Sequence, residues 1–525
     1  MSEADKVRFF WVIAGVIAFA IIAAWLRPRG RPHLTHRRGA KLVTKDEAAR
    51  VAAAAGHGPY TPPQGFLGLF FGGLFLPFHF AFTGFLWVGA IGSGKTLSFV
   101  PFLRSVLDLI ARRGSRARLC LYDPKREFAR LVLAALPPHV PVYRLNFLDR
   151  RSVWWDLAKD FCTPDELHQL AVFLLRAPSK QELQPFFRKG GQSILYCVLL
   201  AVEGLAWTLW DIMVIFGSRK RLDYFLSRTP EGRATASFYL SAKSGVEVLA
   251  TIASHLDELR IVAACFRHAK TSFSVREFMD EQAVILMELV DKSSELQKPF
   301  FQLLIRKLSD DILLRTTANP PTILAIDELV SLGEVDLLPV TTKGREAGAI
   351  VAVTAMSIPA LEESLGGAGK AKVLLDTLQS QSFTRIDSHK TAEHCSQLVG
   401  EEEVEEITIS VGNPTAQNGQ PVTLTEQAKI TFRRLITPDE MKTLPTPDYA
   451  GGTVSGVFRL KDVGAFTANV PFREAFPPLA DNPGLIAFDP RPGSEMRLED
   501  GFLPSDLIRL NIPDTKENRR LFGVK

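Results

Sequence analysis

Hydrophobic positions in this chain change their spacing from one stretch to the next, and each spacing predicts a different element. Phe9 to Leu26 (FFWVIAGVIAFAIIAAWL) is an uncharged apolar run of 18 residues, long enough to cross the hydrocarbon core of a bilayer as a helix. Trp11 and Trp25 stand near its ends, where aromatic rings favour the membrane interface. Phe66 to Phe82 is a second apolar stretch, broken by Gly68, Gly72, Gly73 and Pro77. Punctuated aromatic β-formers of this kind read as a hairpin leading into a core sheet, with a second membrane span as the alternative. Farther on, strand-like runs at Phe85–Val88, Ala117–Tyr122, Ala283–Leu289, Thr322–Ile326, Ile350–Thr354 and Ser382–Ile386 alternate with helical patterns such as Thr96–Arg112. That alternation predicts a parallel α/β sheet. Between residues 160 and 280 turn signals thin out, and amphipathic patterns at Pro164–Leu175 and Gln192–Val202 predict a mostly helical insertion.

The resulting division has a membrane anchor and basic flank over 1–40. Two halves of an α/β domain, 41–160 and 281–475, are separated by an all-α insertion over 161–280. An irregular tail rich in Pro, Gly and Asp follows over 476–525. A short helix at Lys45–Ala55 lies in the linker after the anchor, and no internal repeat is visible. Arg27, Arg29, Arg31, Arg37, Arg38 and Lys41 follow the apolar run, against Lys6 and Arg8 before it. This heavier positive flank predicts that the rest of the chain stays cytoplasmic, at an inner membrane crossed once. The basic segment, and the lack of a clear small-residue cleavage site, argue against a signal peptide.

Composition adds constraints. The chain has 525 residues, 46% hydrophobic and 23% charged, which fits a globular protein with a large core. A net charge of +5 is no polybasic signature, so contact with nucleic acid must come from local patches. Cys120, Cys162, Cys197, Cys265 and Cys395 are scattered, odd in number and without C-x-x-C spacing, which suggests neither a disulfide framework nor a zinc site.

The chemistry is concentrated in two places. GAIGSGKT, Gly89 to Thr96, fits G-x-x-x-x-G-K-[ST] at every required position, between a predicted strand and a predicted helix. Its glycines, Gly89, Gly92 and Gly94, let the backbone turn so that successive N–H groups, with those of Ala90, Ile91, Ser93 and Leu97, surround phosphates of ATP. Lys95 reaches the β and γ phosphates, and the Thr96 hydroxyl suits Mg2+. The second place is TILAIDE, Thr322 to Glu328, an apolar strand ending in two carboxylates. Asp327 can hold the magnesium ion, and Glu328 can orient and deprotonate the attacking water. Together they read as an ATP-hydrolysing site. Arg345, one helical segment later, is either a surface arginine or a group lent to a neighbouring subunit to stabilise the transferring phosphoryl.

An ordered series of segments then resembles a known family, the membrane-anchored coupling proteins of type IV secretion and conjugation systems. GAIGSGKTLSFVPFL resembles its P-loop and the helix after it. LYDPKREF at 121–128 resembles its D-P-K-G-E segment, with Arg126 in place of glycine, and LNFLDRRSVWWDL at 145–157 resembles its N-P-L-D … W-D-L segment. TKGREAGAIVAVTAMSIPALEESLG and SQSFTRIDSHKTAEHCSQLVGEEE resemble the stretches after the acidic pair. The resemblance implies a RecA-like P-loop ATPase domain with an inserted all-α domain and an N-terminal transmembrane helix, assembled as a homo-hexamer. It implies that the protein passes single-stranded DNA with its relaxase complex, or effector proteins, to type IV secretion channel components. By motif, Lys95, Thr96, Asp327 and Glu328 carry over as ATPase residues, and Arg345 as a finger in trans. One departure is Met356, at a position where the family has glutamine; a thioether cannot donate a hydrogen bond, and Thr354 and Ser357 are the nearby hydroxyls that could substitute. Two other readings stand beside this one: a double-stranded DNA pump of the cell-division type, and a membrane platform that docks substrates and hydrolyses ATP weakly. Arg188-Lys189 and Arg219-Lys220-Arg221 are the candidate DNA contacts. Trp154, Trp155, Trp207 and Trp210 could stack on bases or pack in the core.

Overall fold

The computed structural model describes residues 34–56, 60–176, 185–241, 244–290, 294–315, 320–411, 424–475 and 488–524. The apolar run at 9–26 lies outside them, and among the described residues no helix is long and apolar enough to cross a membrane. The chain divides into two units, residues 1–42 with 393–440, and residues 43–392 with 441–525.

The larger unit is built on a nine-stranded sheet. Its strands are β1 (Phe85–Val88), β2 (Arg118–Asp123), β3 (Val142–Leu145), β4 (Val284–Glu288), β5 (Thr322–Ile326), β6 (Ala349–Ala355), β7 (Ser380–Phe383), β8 (Thr453–Leu460) and β9 (Gly464–Pro471). Their order across the sheet is β9-β8-β7-β1-β6-β5-β2-β4-β3. From β7 to β3 every pairing is parallel, and β5 and β6 are buried along their whole length, as strands covered on both faces must be. The expected wholly parallel sheet is nevertheless a mixed one. β8 runs antiparallel to both β7 and β9; the pairing with β9 follows from the link over residues 461–463, far too short for a parallel crossover.

Helix α1 (Lys95–Ala111) seals one face through aromatic contacts. Trp87 on β1 meets Phe99 with ring centroids 5.0 Å apart, and Phe85 meets Phe102 at 4.7 Å. Phe66–Phe82 is a hairpin, Leu69–Phe71 against Leu74–Leu76, followed by a short helix. Gly72 and Gly73 form its two-residue turn with φ of 60° and 81°, the conformation that matches the twist of flanking strands.

Between β3 and β4 the principal helices are Pro164–Leu174, Pro185–Ala201, Leu209–Phe216, Arg219–Leu226 and Gly245–Arg267. Thr163 and Thr208 close capping boxes at two of their starts. Residues 488–524 differ from the irregular tail expected. They carry helices at Pro504–Arg509 and Lys516–Leu521, and Asp500, Asp506 and Asp514 each pair with an arginine. The Arg509 guanidinium forks onto Asp211 at 2.6 and 2.8 Å and reaches Asp506 at 2.8 Å. Arg267 also holds Asp506, at 2.6 Å. Upstream, Arg491 donates to the Phe147 carbonyl at 2.9 Å, and Phe488 lies under the Arg126 guanidinium.

The smaller unit contains a three-stranded antiparallel sheet, Leu34–Gly39 against Glu401–Val411 against Leu424–Arg434. Part of the basic flank is spent inside it: Arg38 pairs with Glu403 at 2.6 Å and Arg37 lies 3.6 Å from the same carboxylate.

Candidate nucleotide site

In the sheet order β1 and β5 are separated by a single strand, β6, so the loops after β1, β5 and β6 emerge side by side at the carboxyl ends of parallel strands, where α/β sheets bind ligands. The loop after β1 is the glycine loop. Its opening residues are fastened by backbone bonds from Gly89 N–H to the Ala355 carbonyl (3.3 Å) and from Ala90 N–H to the Arg385 carbonyl (2.9 Å). Gly94 has φ of 88°, and a Cβ there would lie 2.5 Å from Val454, so only glycine fits between the loop and the sheet edge. Ile91 stands 85% exposed at the crest. The Ser93 hydroxyl is tied inward to Thr384 at 2.8 Å. Lys95 opens α1, with Thr96 and Leu97 half-buried in its first turn.

Lys95 Nζ is bonded to Glu328 Oε2 at 2.8 Å, and both side chains are about 6% exposed. The other oxygen of Glu328 accepts the Met356 N–H at 3.3 Å. Glu328 has φ of 54°, a left-handed conformation rare for a residue with a side chain. Ser331 returns two bonds to its carbonyl, from the amide at 2.9 Å and from the hydroxyl at 2.7 Å. Asp327 Oδ1 accepts from the Thr354 hydroxyl at 2.8 Å, whereas Asp327 Oδ2 is buried without a partner. Burial holds the Asp327 carboxyl above the usual carboxylate range, opposed by the Thr354 bond and the nearby charges of Lys95 and Lys125. A buried, unpartnered carboxylate oxygen beside a P-loop fits a hard cation such as Mg2+.

The structure thus brings together Lys95, Asp327 and Glu328, with Thr96 next in the chain. Arg345 is not part of this arrangement. It is exposed, after a short helix and just before the amino end of β6, whereas the glycine loop lies at the carboxyl ends of the parallel strands. Of the two hydroxyls near Met356, Ser357 caps the next helix through the Ala360 N–H at 3.2 Å. Thr354 instead links the Asp327 carboxylate to the backbone of Glu328, whose N–H it accepts at 2.9 Å.

Sequence reasoning gave no individual role to Asp123. It ends β2 and accepts the N–H groups of Glu127 and Phe128 at 3.0 and 2.8 Å. Burial pushes its carboxyl up to about 7, against those two bonds. Its D-P-K-R-E-F context was the available signal. Arg126 in that turn has φ of 59°, a conformation suited to the glycine it replaces. Of the basic clusters, Arg221 is absorbed by the fold: it bonds Asp500 and the Leu521 carbonyl, while Arg219 pairs with Asp223. Lys189 and Lys220 are exposed. Trp155, Trp207 and Trp210 are core residues, and Trp154 is half-buried. Clefts of about 670 and 870 Å³ lie elsewhere, along helix Pro164–Leu174. Lys307, on the first of them, is paired within the chain to Glu166 and Asp311.

Residues 69–455 match the family described as type IV secretion-system coupling protein DNA-binding domain. The chain belongs to that family. Coupling protein TraD of Escherichia coli (strain K12) is 22% identical over 331 residues, 60% of this chain; the match spans 43% of that relative's length. Among solved structures, the unbound bacterial conjugative coupling protein TrwBdeltaN70 superposes with a TM-score of 0.66 at 18% identity, covering 85% of this chain and 96% of that one. The plasmid coupling protein TrwB in complex with ADP and Mg2+ gives 0.64 at 18% identity, over 85% and 95%. The same protein with the non-hydrolysable ATP analogue ADPNP gives 0.65 at 18%, over 86% and 97%. The fold is that of these coupling proteins.

Proposed function

We propose that this coupling protein is an inner-membrane ATPase. It couples ATP hydrolysis to the recruitment of single-stranded DNA with its relaxase complex, or of effector proteins, and to their passage into a type IV secretion channel. The observation that carries this reading is the convergence of Lys95, Asp327 and Glu328 at the ends of β1 and β5. The occupancy of the similar TrwB by ADP with Mg2+, and by ADPNP, supports it. Backbone N–H groups of the 89–97 segment would cradle the phosphates, and Lys95 would leave Glu328 for the β and γ phosphates. Thr96 and Asp327 Oδ2 would hold Mg2+, which when bound neutralises charge on the phosphates. Glu328, released by Lys95, would orient and deprotonate the attacking water.

Arg345, remote from the site of its own chain, would serve a neighbour in a homo-hexameric ring. Residues 9–26 would anchor the ring, with 41–160 and 281–475 as the motor halves and 161–280 as the helical insertion. Exposed Lys189 and Lys220 remain as candidate phosphate contacts, and binding through them would weaken with salt.

The test is ATP turnover by the full chain in detergent, with and without single-stranded and duplex DNA, beside Lys95→Ala and Glu328→Gln. Turnover stimulated by single-stranded DNA and abolished in both variants is the expected result. Stimulation by duplex alone would point instead to a pump of the cell-division type. A second reading has an observation of its own in Met356: binding of nucleotide without turnover would make the protein a docking platform.

A further inference from the structure

The side chain between the metal ligand and the base belongs to neither sequence motif. Parallel pairing aligns Ile326 with Val353, which sets the next residues, Asp327 and Thr354, beside each other past the end of β5. Thr354 is fully buried. A hydroxyl has one proton to give and two lone pairs with which to accept. This one gives its proton to Asp327 Oδ1 at 2.8 Å and accepts the Glu328 N–H at 2.9 Å. The first bond occupies one carboxylate oxygen and leaves Oδ2 as the one without a partner. The second helps hold Glu328 in its left-handed conformation, from which its carboxylate meets Lys95 and the Met356 amide.

We propose that Thr354 is a positioning residue for both acids, fixing which oxygen of Asp327 is offered to Mg2+ and where the Glu328 carboxylate points. The inference rests on the reading of this site as a Mg2+-dependent ATPase. It also gives the site a hydrogen-bonding side chain that Met356, where the family has glutamine, cannot supply. The device that orders the site in this chain comes from two residues earlier on the same strand, and it acts on the acids rather than on the nucleotide. Both of its bonds go to the acid residues, which makes its role one of positioning.

The experiment compares the full chain with Thr354→Val, which keeps the shape and loses the hydroxyl, and Thr354→Ser, which keeps the hydroxyl. A fluorescent ADP analogue is titrated at a series of Mg2+ concentrations, and ATP turnover is measured alongside. For Thr354→Val the Mg2+ concentration giving half-maximal tightening should rise about tenfold or more, and kcat should fall roughly ten- to a hundredfold, the range seen when outer-shell partners of metal ligands are removed. Its nucleotide affinity without Mg2+ should stay at the wild-type value, and Thr354→Ser should recover both properties to within about twofold. Wild-type Mg2+ dependence in the valine variant would overturn the proposal, as would a serine variant no better than valine. If Thr354→Val does not fold, Thr354→Cys, close in volume and with only a weak donor, carries the same comparison. A wild-type chain that binds nucleotide with Mg2+ but never turns it over would defeat the hydrolytic reading alone, because the Mg2+-binding comparison does not depend on turnover.

Discussion

Replacing Glu328 by glutamine should tighten nucleotide binding while it stops hydrolysis. In the free protein the Lys95 ammonium is held 2.8 Å from Glu328 Oε2, with both side chains about 6% exposed. An incoming phosphate must take that ammonium away, so the carboxylate competes with the nucleotide. A hydrogen bond to a charged group contributes about 1.5–3 kcal/mol net. Glutamine keeps a carbonyl acceptor of the same shape but loses the charge, so a relief of about 1–2 kcal/mol is expected, which is roughly 5- to 30-fold in the dissociation constant. Loss of the base should lower turnover by about 10²- to 10⁴-fold. The assay is an equilibrium titration of a fluorescent, non-hydrolysable ATP analogue with Mg2+ into wild type and Glu328→Gln. Unchanged or weaker binding in the variant would refute the argument that Lys95 must be won from Glu328.

Two further expectations concern the frame around the site. Asp123 has a folded-state pKa raised to about 7, so its protonated form is favoured by folding. That contribution is complete below about pH 4 and fades as the pH climbs to about 7. Denaturant midpoints of wild type and Asp123→Asn at pH 5 and pH 8 should show any wild-type advantage shrinking at the higher pH; an advantage that grew would contradict the assignment. Arg509→Ala leaves the buried carboxylates of Asp211 and Asp506 short of their fork, and should cost about 3–5 kcal/mol in urea unfolding, the range for breaking a buried pair; a loss under about 1 kcal/mol would place the pair in solvent, where such bridges contribute little.

How much of this was legible in the sequence depended on whether the cause was local. The glycine loop and TILAIDE announce themselves because each is a contiguous segment whose chemistry needs residues at fixed spacing. The parallel core strands are readable for a similar reason: burial on both faces demands uninterrupted apolar runs, as in β5 and β6. Strand Leu34–Gly39 (LTHRRG) has no such pattern; it is held by pairing with Glu401–Val411, whose glutamates meet its arginines. β8 and β9 carry Gly456, Gly464 and Asn469 on a sheet edge and lack a clean period. Within the site, the sequence offers Thr354 only as one of two hydroxyls near Met356, with nothing to tie it to Asp327. Its role exists only because β5 and β6 are neighbours, and adjacency of strands far apart in sequence is written in no single segment.

The partnership of Arg509 with Asp211 also sets a timetable for folding. The two residues are separated by 298 positions, and Arg221 and Asp500 by 279. During synthesis the helical insertion therefore leaves the ribosome long before the guanidinium that neutralises its buried aspartate. Contacts across such a distance form late, since loop closure has to precede them. Until then Asp211 has no fork, and the aromatic groove of Tyr224 and Phe225 lacks Phe522. A chain interrupted before residue 500 would carry an insertion with an unpaired acid and an open apolar seam, the kind of surface on which nascent chains aggregate or recruit chaperones.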